Sequence, residues 1–300
     1  MPSMQAMLLL AAQNYLSKQT LERIPESDLI MTRQANVDQF DMIVNSNIAV
    51  SFSGAIELLF QIGAIPYAKN ILDLACGPGH FSLFLAKYSK GNVTGVDLSD
   101  QMLAKAHDNA KKEGLSDRVQ FLSGDITNLN QFSDKQFDLI TCTNSAHHLP
   151  SPALLTSMMD EIDRVLTDQG TGFIMDLTRL RTAGCLNKYI NLMGKEYLEH
   201  GLEALYEDFH NSMFAAWTPG ELRSAISMNS SRSWFHFSIF PLPINQFLFA
   251  KPKGWKPKKP KSFFNWPDSK IPIRTDLQKD YTAYRQSLFL SYRWFLKQLN

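Results

Sequence analysis

Three cysteines in 300 residues, Cys76, Cys142 and Cys185, are widely and unevenly spaced. An odd count of this kind supplies no disulfide framework and no zinc-binding pattern, and it fits a reducing, cytoplasmic setting. Charge of one sign is also missing. Thirty Lys and Arg stand against 29 Asp and Glu, a formal net charge of +1. No global field therefore points to nucleic acid or to a membrane surface. Long hydrophobic runs are absent near the start. The apolar stretch Met7 to Ala12 is too short to span a bilayer, and no Lys or Arg precedes it. It reads as an amphipathic helix, not as an anchor or a signal segment. No internal repeat is present. What is there is 44% hydrophobic sequence, enough for one large or two small domains with a proper core.

The segment ILDLACGPGHFSLFLAK, residues 71–87, sets the pattern for the middle of the chain. Ile71 to Leu74 reads as a buried strand. Phe81, Phe84 and Leu85 fall at helical spacing. Gly77-Pro78-Gly79 is the turn between them. Glycine permits a sharp bend or the close approach of a ligand, and the first turn of the following helix offers unpaired N–H groups. Further strands follow at Asn92 to Asp97, Val119 to Leu122, Phe137 to Cys142 and Gly170 to Asp176. Between them lie a helix capped by Ser99 and ended by Gly114, and an apolar-striped helix over 152–166. Alternating strands and helices predict an α/β fold with a doubly wound, mostly parallel sheet, and ligands beyond the strand carboxyl ends. The segments 233–240 and 245–252 read as two edge strands, antiparallel and joined by PLPI.

The chain divides into three segments. Residues 1–66 read as a helical N-terminal cap, with a helix at 53–62 and Ser53 as its N-cap. Residues 67–252 form the core, with an aromatic-rich helical lid inserted at about 179–230. Residues 253–300 form a Lys/Pro linker and a C-terminal amphipathic helix. The stretch KPKGWKPKKPK carries six lysines in eleven residues and reads as a solvated linker. The last helix opens on a capping-box pattern at Thr275. It packs on the body or on a second subunit as a homodimer contact.

Acids and polar residues recur at successive strand ends: Asp73, Asp97, Gly124-Asp125, then Thr143-Asn144-Ser145-Ala146-His147-His148. All fall on one edge of a parallel sheet. The run resembles the class I S-adenosylmethionine-dependent methyltransferases, of the small-molecule type that includes quinone-biosynthesis enzymes. ILDLACGPG is similar to the first family motif, GVDLSDQMLAKA to the second, GDI to the third and FDLITCTNSAHHL to the fourth. LLTSMMDEIDRVLTDQGTGFIMDLT matches the next helix and strand, with Asp168-Gln169-Gly170 where the family has a Pro-Gly-Gly turn. The clear resemblance covers about residues 55–180. DFHNSMFAAWTPGELRSAI is similar to a late segment of some members.

That resemblance implies a Rossmann-like seven-stranded sheet with an antiparallel C-terminal edge, S-adenosylmethionine as cofactor and S-adenosylhomocysteine as product. Asp73, Ala75, Gly77 and Gly79 would hold the methionine end and approach the ribose, with Asp73 organising the loop and meeting the ammonium. Asp97 would take both ribose hydroxyls. Leu98 and Met102 would pack on the adenine, Asp125 would accept from its amino group, and Ile126 would flank it. Thr143 and Asn144 would line the methionine end. A dinucleotide dehydrogenase is the nearest alternative, but Ser82 replaces the third glycine of that fingerprint and Asp73 interrupts an otherwise apolar strand.

An oxygen or carbon acceptor also loses a proton, and His147 or His148 is the candidate base. His210, Tyr206 and Tyr189 stand in reserve. The sequence lacks the Asn/Asp-Pro-Pro-aromatic run of exocyclic-amine methylation and the Pro-Cys of cytosine C5 chemistry. No acid lies near the two histidines in sequence, so no metal site is expected. The expectation is methyl transfer to an O, C or N atom of a small, partly apolar or aromatic metabolite. Nucleic acid is not an expected partner, nor is an integral membrane segment. The alternatives are other chemistry on the same cofactor-binding fold, a partner subunit, and an RNA methyltransferase using the Lys-rich patch.

Overall fold

The computed structural model describes residues 4–18, 20–26, 34–42 and 47–299. Three helices come first: α1 (Met4–Leu16), α2 (Gln34–Asp41) and α3 (Asn47–Gln61). The core then alternates β1 (Asn70–Leu74), α4 (His80–Tyr88), β2 (Asn92–Asp97), α5 (Asp100–Lys112), β3 (Val119–Ser123), β4 (Phe137–Thr143), α6 (Pro152–Val165) and β5 (Leu166–Leu177). Three helices follow, α7 (Ala183–Glu199), α8 (Glu203–Ala215) and α9 (Pro219–Ser224), over the segment expected to form a lid. The chain closes with β6 (Arg232–Ser238), β7 (Asn245–Pro252) and α10 (Gln278–Gln298).

The strands form one seven-stranded sheet in the order β3-β2-β1-β4-β5-β7-β6. The first five are parallel, and β7 runs antiparallel to both β5 and β6. The expected α/β sheet with its antiparallel edge is present. Alternation along the strands feeds two apolar layers. Ile71, Val93 and Leu139 face α3, α4, α5 and α10, while Leu72, Leu74, Val96 and Ile140 face α6 and α9. With both faces covered, the central strands are buried almost throughout.

Local chemistry explains several boundaries. Ser99 caps α5, its hydroxyl accepting from the Met102 amide at 3.3 Å. Gly114 follows that helix at φ +66°, where glycine carries no Cβ penalty. Three expectations are corrected. Ser53 is not an N-cap: α3 starts six residues earlier, and the buried Ser53 hydroxyl bonds that of Ser269. Thr275 starts a short 3-10 turn, and α10 opens at Gln278 with no side-chain cap; the capping box in this chain is Thr218–Glu221 at α9. Asp168-Gln169-Gly170 is not a separate turn before the strand but an irregular stretch within β5, where the pairing with β4 steps from Phe137–Leu166 to Leu139–Thr171. Helix α10 packs on α3 and β6, burying Leu288, Tyr292 and Phe295. Among the described residues, no helix is long and apolar enough to cross a membrane.

Candidate active site

The loop after β1 is built for close approach. Ala75, Gly77 and Gly79 all have left-handed backbones, at φ +50°, +53° and +81°. A Cβ at Gly79 would stand 2.7 Å from the Phe121 ring, so that glycine is fixed by packing. A Cβ at Gly77 would meet nothing within 4 Å. Gly77 therefore presents bare backbone to open space. Its N–H donates to Asp97 Oδ2 at 2.8 Å, and Ser99 N–H donates to Asp97 Oδ1 at 2.9 Å. The last residue of β2 thus holds the glycine loop and the start of α5 together. Burial raises the Asp97 pKa; the two backbone donors act against it.

Asp73 is fully enclosed. Its Oδ2 accepts from Ser82 at 2.6 Å and its Oδ1 from Thr141 at 2.7 Å. It ties β1 to α4 and β4, the contacts of a loop organiser. Burial pushes its pKa up to about 6, against the two hydroxyls. A carboxyl raised in the folded state from 3.8 to about 6 contributes stability at low pH that is lost as pH rises through this window. Asp73→Asn should therefore gain about 3 kcal/mol relative to the parent between pH 3.5 and pH 7.5. Denaturant unfolding at the two pH values reads this, and an equal effect at both would refute it.

The rest of the predicted cofactor set surrounds this loop. Met102 and Ile126 are buried, and Leu98 is exposed on the rim. Asp125 is exposed and its Oδ1 accepts from the Thr127 amide and hydroxyl at 2.8 and 2.7 Å. Thr143 ends β4 and is buried. Asn144 follows at φ +52°, and its buried Oδ1 has no hydrogen-bond partner among the described residues.

Beyond Asn144 the chain makes a short 3-10 turn, Ala146–His148. His147 is buried, and its Nδ1 lies 2.6 Å from Oδ1 of the buried Asp176 in β5. A carboxylate there accepts from Nδ1–H and orients the ring. His148 Nδ1 lies 2.5 Å from Glu26 Oε2, and Glu26 Oε1 lies 3.9 Å from His147 Nε2. Ser212 donates to Glu26 Oε1 at 2.7 Å. Burial would lower the His148 pKa, but the Glu26 carboxylate overrides it and holds it up at about 9. Burial would raise Glu26, and His148 overrides it, down to about 2. Asp208, four residues before Ser212 on the same face of α8, is raised by burial to about 6 with both histidines opposing. The His148 charge also favours the ionised form of Asp97, so the two halves of the site share one electrostatic environment.

The acid expected to be missing is therefore present in space. Glu26 arrives from an extended arm, residues 20–26. Arg23 fastens that arm: its guanidinium donates to Ala215 O at 2.6 Å, Pro150 O at 2.9 Å, His147 O at 2.7 Å and Leu149 O at 2.8 Å. It also stacks on Trp217 at 3.6 Å. Sequence reasoning missed Glu26, Asp208 and Arg23 because 120 or more residues separate Glu26 and Arg23 from the turn. Asp176, at the end of β5 beside β4, carried a signal in its strand-end position. The reserve candidates lie elsewhere. Tyr189 packs in the lid against Phe209, Tyr206 donates to Asn191, and His210 lies against Phe214.

Residues 71–170 match the family model described as a methyltransferase domain. A sterol 24-C-methyltransferase of Gibberella zeae is 30% identical over 180 residues, 54% of this chain and 46% of that protein. A demethylmenaquinone methyltransferase of Leptospira interrogans is 35% identical over 113 residues, 37% of this chain and 44% of that one. Residues 71–170 are a class I S-adenosylmethionine-dependent methyltransferase domain. The chain spans less than half the length of these curated relatives. A SAM-dependent methyltransferase structure from Aquifex aeolicus shares the fold, with TM-score 0.52 at 15% identity over 74% of this chain and all of that one. The cofactor of the methyltransferase domain is S-adenosylmethionine, and the residues present suit it. The bare Gly77 backbone, the Asp97 carboxylate and the orphaned Asn144 Oδ1 supply an open cradle, an acceptor for hydroxyls and an acceptor for an ammonium.

Proposed function

We propose that the chain transfers the methyl group of S-adenosylmethionine to an O, C or N atom of a small, partly apolar metabolite. One observation carries this reading: the Asp97–Gly77 cradle opens at the same sheet edge as a buried histidine–aspartate pair, His147–Asp176. The relatives named for a sterol and for demethylmenaquinone support a small-molecule acceptor.

Asp97 takes the ribose hydroxyls. Gly77 and Gly79 let the backbone approach, Asp73 fixes the loop from behind, and Ala75, Thr143 and Asn144 line the methionine end. Met102, Leu98 and Ile126 enclose the adenine, with Asp125 at its edge. The bound cofactor supplies an electrophilic methyl on a sulfonium, whose S–CH3 bonding pair stays on sulfur. Alignment and exclusion of water are then most of the catalysis. His147 is the base: Nε2 takes the acceptor's proton, Asp176 stabilises the resulting imidazolium, and the X–H bonding pair stays on the acceptor. His148, already paired with Glu26, stays protonated near neutral pH and is not the base.

Calorimetric titration with S-adenosylmethionine, S-adenosylhomocysteine and NAD tests the cofactor half. Binding of the first two and not of NAD is expected. A folded protein that binds NAD alone would return the dehydrogenase reading. Transfer of labelled methyl to a panel of phenolic, enolic and amine acceptors then tests the chemistry.

A further inference from the structure

We infer that Glu26, carried on the N-terminal arm, is a positioning residue for the acceptor end: it pairs with Nδ1 of His148, holds that ring as an imidazolium and so removes it as a candidate base, leaving that role to His147. The inference rests on the proposed function for its purpose, but its geometry stands alone. Two adjacent histidines have ring centroids 4.3 Å apart. Each has a carboxylate at Nδ1. Asp176 binds Nδ1 of His147 and Glu26 binds Nδ1 of His148. The first carboxylate belongs to β5, while the second reaches the site on the arm, so the partner of His148 is supplied by a segment outside the sheet.

The charges around His148 are accounted for from every side. Among the described residues, Glu26 acts on it from the arm, Asp176 from β5, Asp208 from α8 and Asp97 from β2, and the His147 ring lies beside it on its own turn. Arg23 is spent on backbone carbonyls, and its pKa is lowered by burial to about 10. Glu26 is the acid in hydrogen-bond contact with His148. The stabilisation of this pair is complete between the ordinary pKa of a carboxylate and that of a histidine, about 4.5 to 6.5. It is lost as pH rises through 9 or falls towards 2.

Donor atoms of Glu26, His147 and His148 lie within 4.8 Å of one another, a spacing also open to a metal ion. The direct contact argues for the proton. A tetrahedral ion with ligands at 2.0–2.2 Å would hold two of them about 3.4 Å apart, not the 2.5 Å found between Glu26 and His148.

The test is 15N NMR of the histidine side chains in the full-length chain with S-adenosylhomocysteine, from pH 5 to 10. His148 is assigned by difference against His148→Gln. In the wild type His148 should keep both ring protons past pH 8, with a midpoint near 9. Glu26→Gln should drop the His148 midpoint by at least about 1.5 pH units, towards the ordinary value of about 6.5. Glu26→Asp should recover part of the shift. A wild-type midpoint near 6.5 would overturn the inference, with no variant needed. So would an unchanged midpoint in folded Glu26→Gln, or one-to-one zinc binding by the wild type that Glu26→Gln loses. Failure to bind S-adenosylhomocysteine, with the titration as expected, would count against the proposed function alone.

Discussion

Asp97→Ala should weaken S-adenosylhomocysteine binding at least about 100-fold, since two charge-assisted hydrogen bonds of roughly 1.5 kcal/mol each are lost and every 1.4 kcal/mol is tenfold. The loss has two sources. In the proposed reading the carboxylate accepts from the ribose, and it also anchors the Gly77 and Ser99 amides at 2.8 and 2.9 Å. Without it the cradle loses its ligand contact and its tether together. Asp97→Asn keeps one acceptor oxygen and should fall between the two. The fold itself should survive, because burial already disfavours the ionised form of Asp97. Calorimetry beside a thermal melt separates the outcomes. Near-wild-type affinity in folded Asp97→Ala would remove the central support of the cofactor assignment.

Arg23→Ala should release the arm. Four backbone carbonyls lose their charged donor and Trp217 loses a stacked cation. An acceptor stranded without its partner costs about 1–3 kcal/mol, and a partly desolvated cation–π contact contributes about 1–2 kcal/mol. Water reaches the freed carbonyls once the arm lifts, so the cost is capped at about 3 kcal/mol, near a 150-fold change in an opening equilibrium. The reporters are the amides of Leu21 and Ile24, bonded to Arg181 O and Phe214 O at 2.7 and 3.2 Å. Their hydrogen exchange should accelerate by about two orders of magnitude, with β4 and β5 unchanged. Unaltered protection would show that the arm is held by its own packing and that Arg23 is dispensable.

The two variants act on different halves of one site. Asp97 belongs to the parallel sheet, while Arg23 and Glu26 belong to a segment that crosses over it. Asp97→Ala should leave the arm amides protected, and Arg23→Ala should leave the Gly77–Asp97 cradle able to take the cofactor.

The strand ends and the glycine loop were legible because they are local. A strand end, a glycine turn and a helix start lie within ten residues, and each strand end in a parallel sheet falls on the same edge. Spacing along the chain is then a faithful proxy for spacing in space. The Ser53 and Thr275 caps were misplaced for the opposite reason. Tertiary packing decided where those helices begin: Ser53 is buried against Ser269, and the chain before Gln278 turns as a 3-10 segment.

By itself the sequence determined the sheet, its order of acids and glycines, and the two histidines after the fourth strand. Periodicity and turn chemistry act over a few residues and need no partner. Only the tertiary structure decided what those histidines are. Each imidazole is oriented by a carboxylate held 2.6 or 2.5 Å from its Nδ1. Asp176 comes from the neighbouring strand, and Glu26 from an arm 122 residues earlier in the chain. Electrostatics in a buried site depends on distance in space, and no pattern along the chain records it.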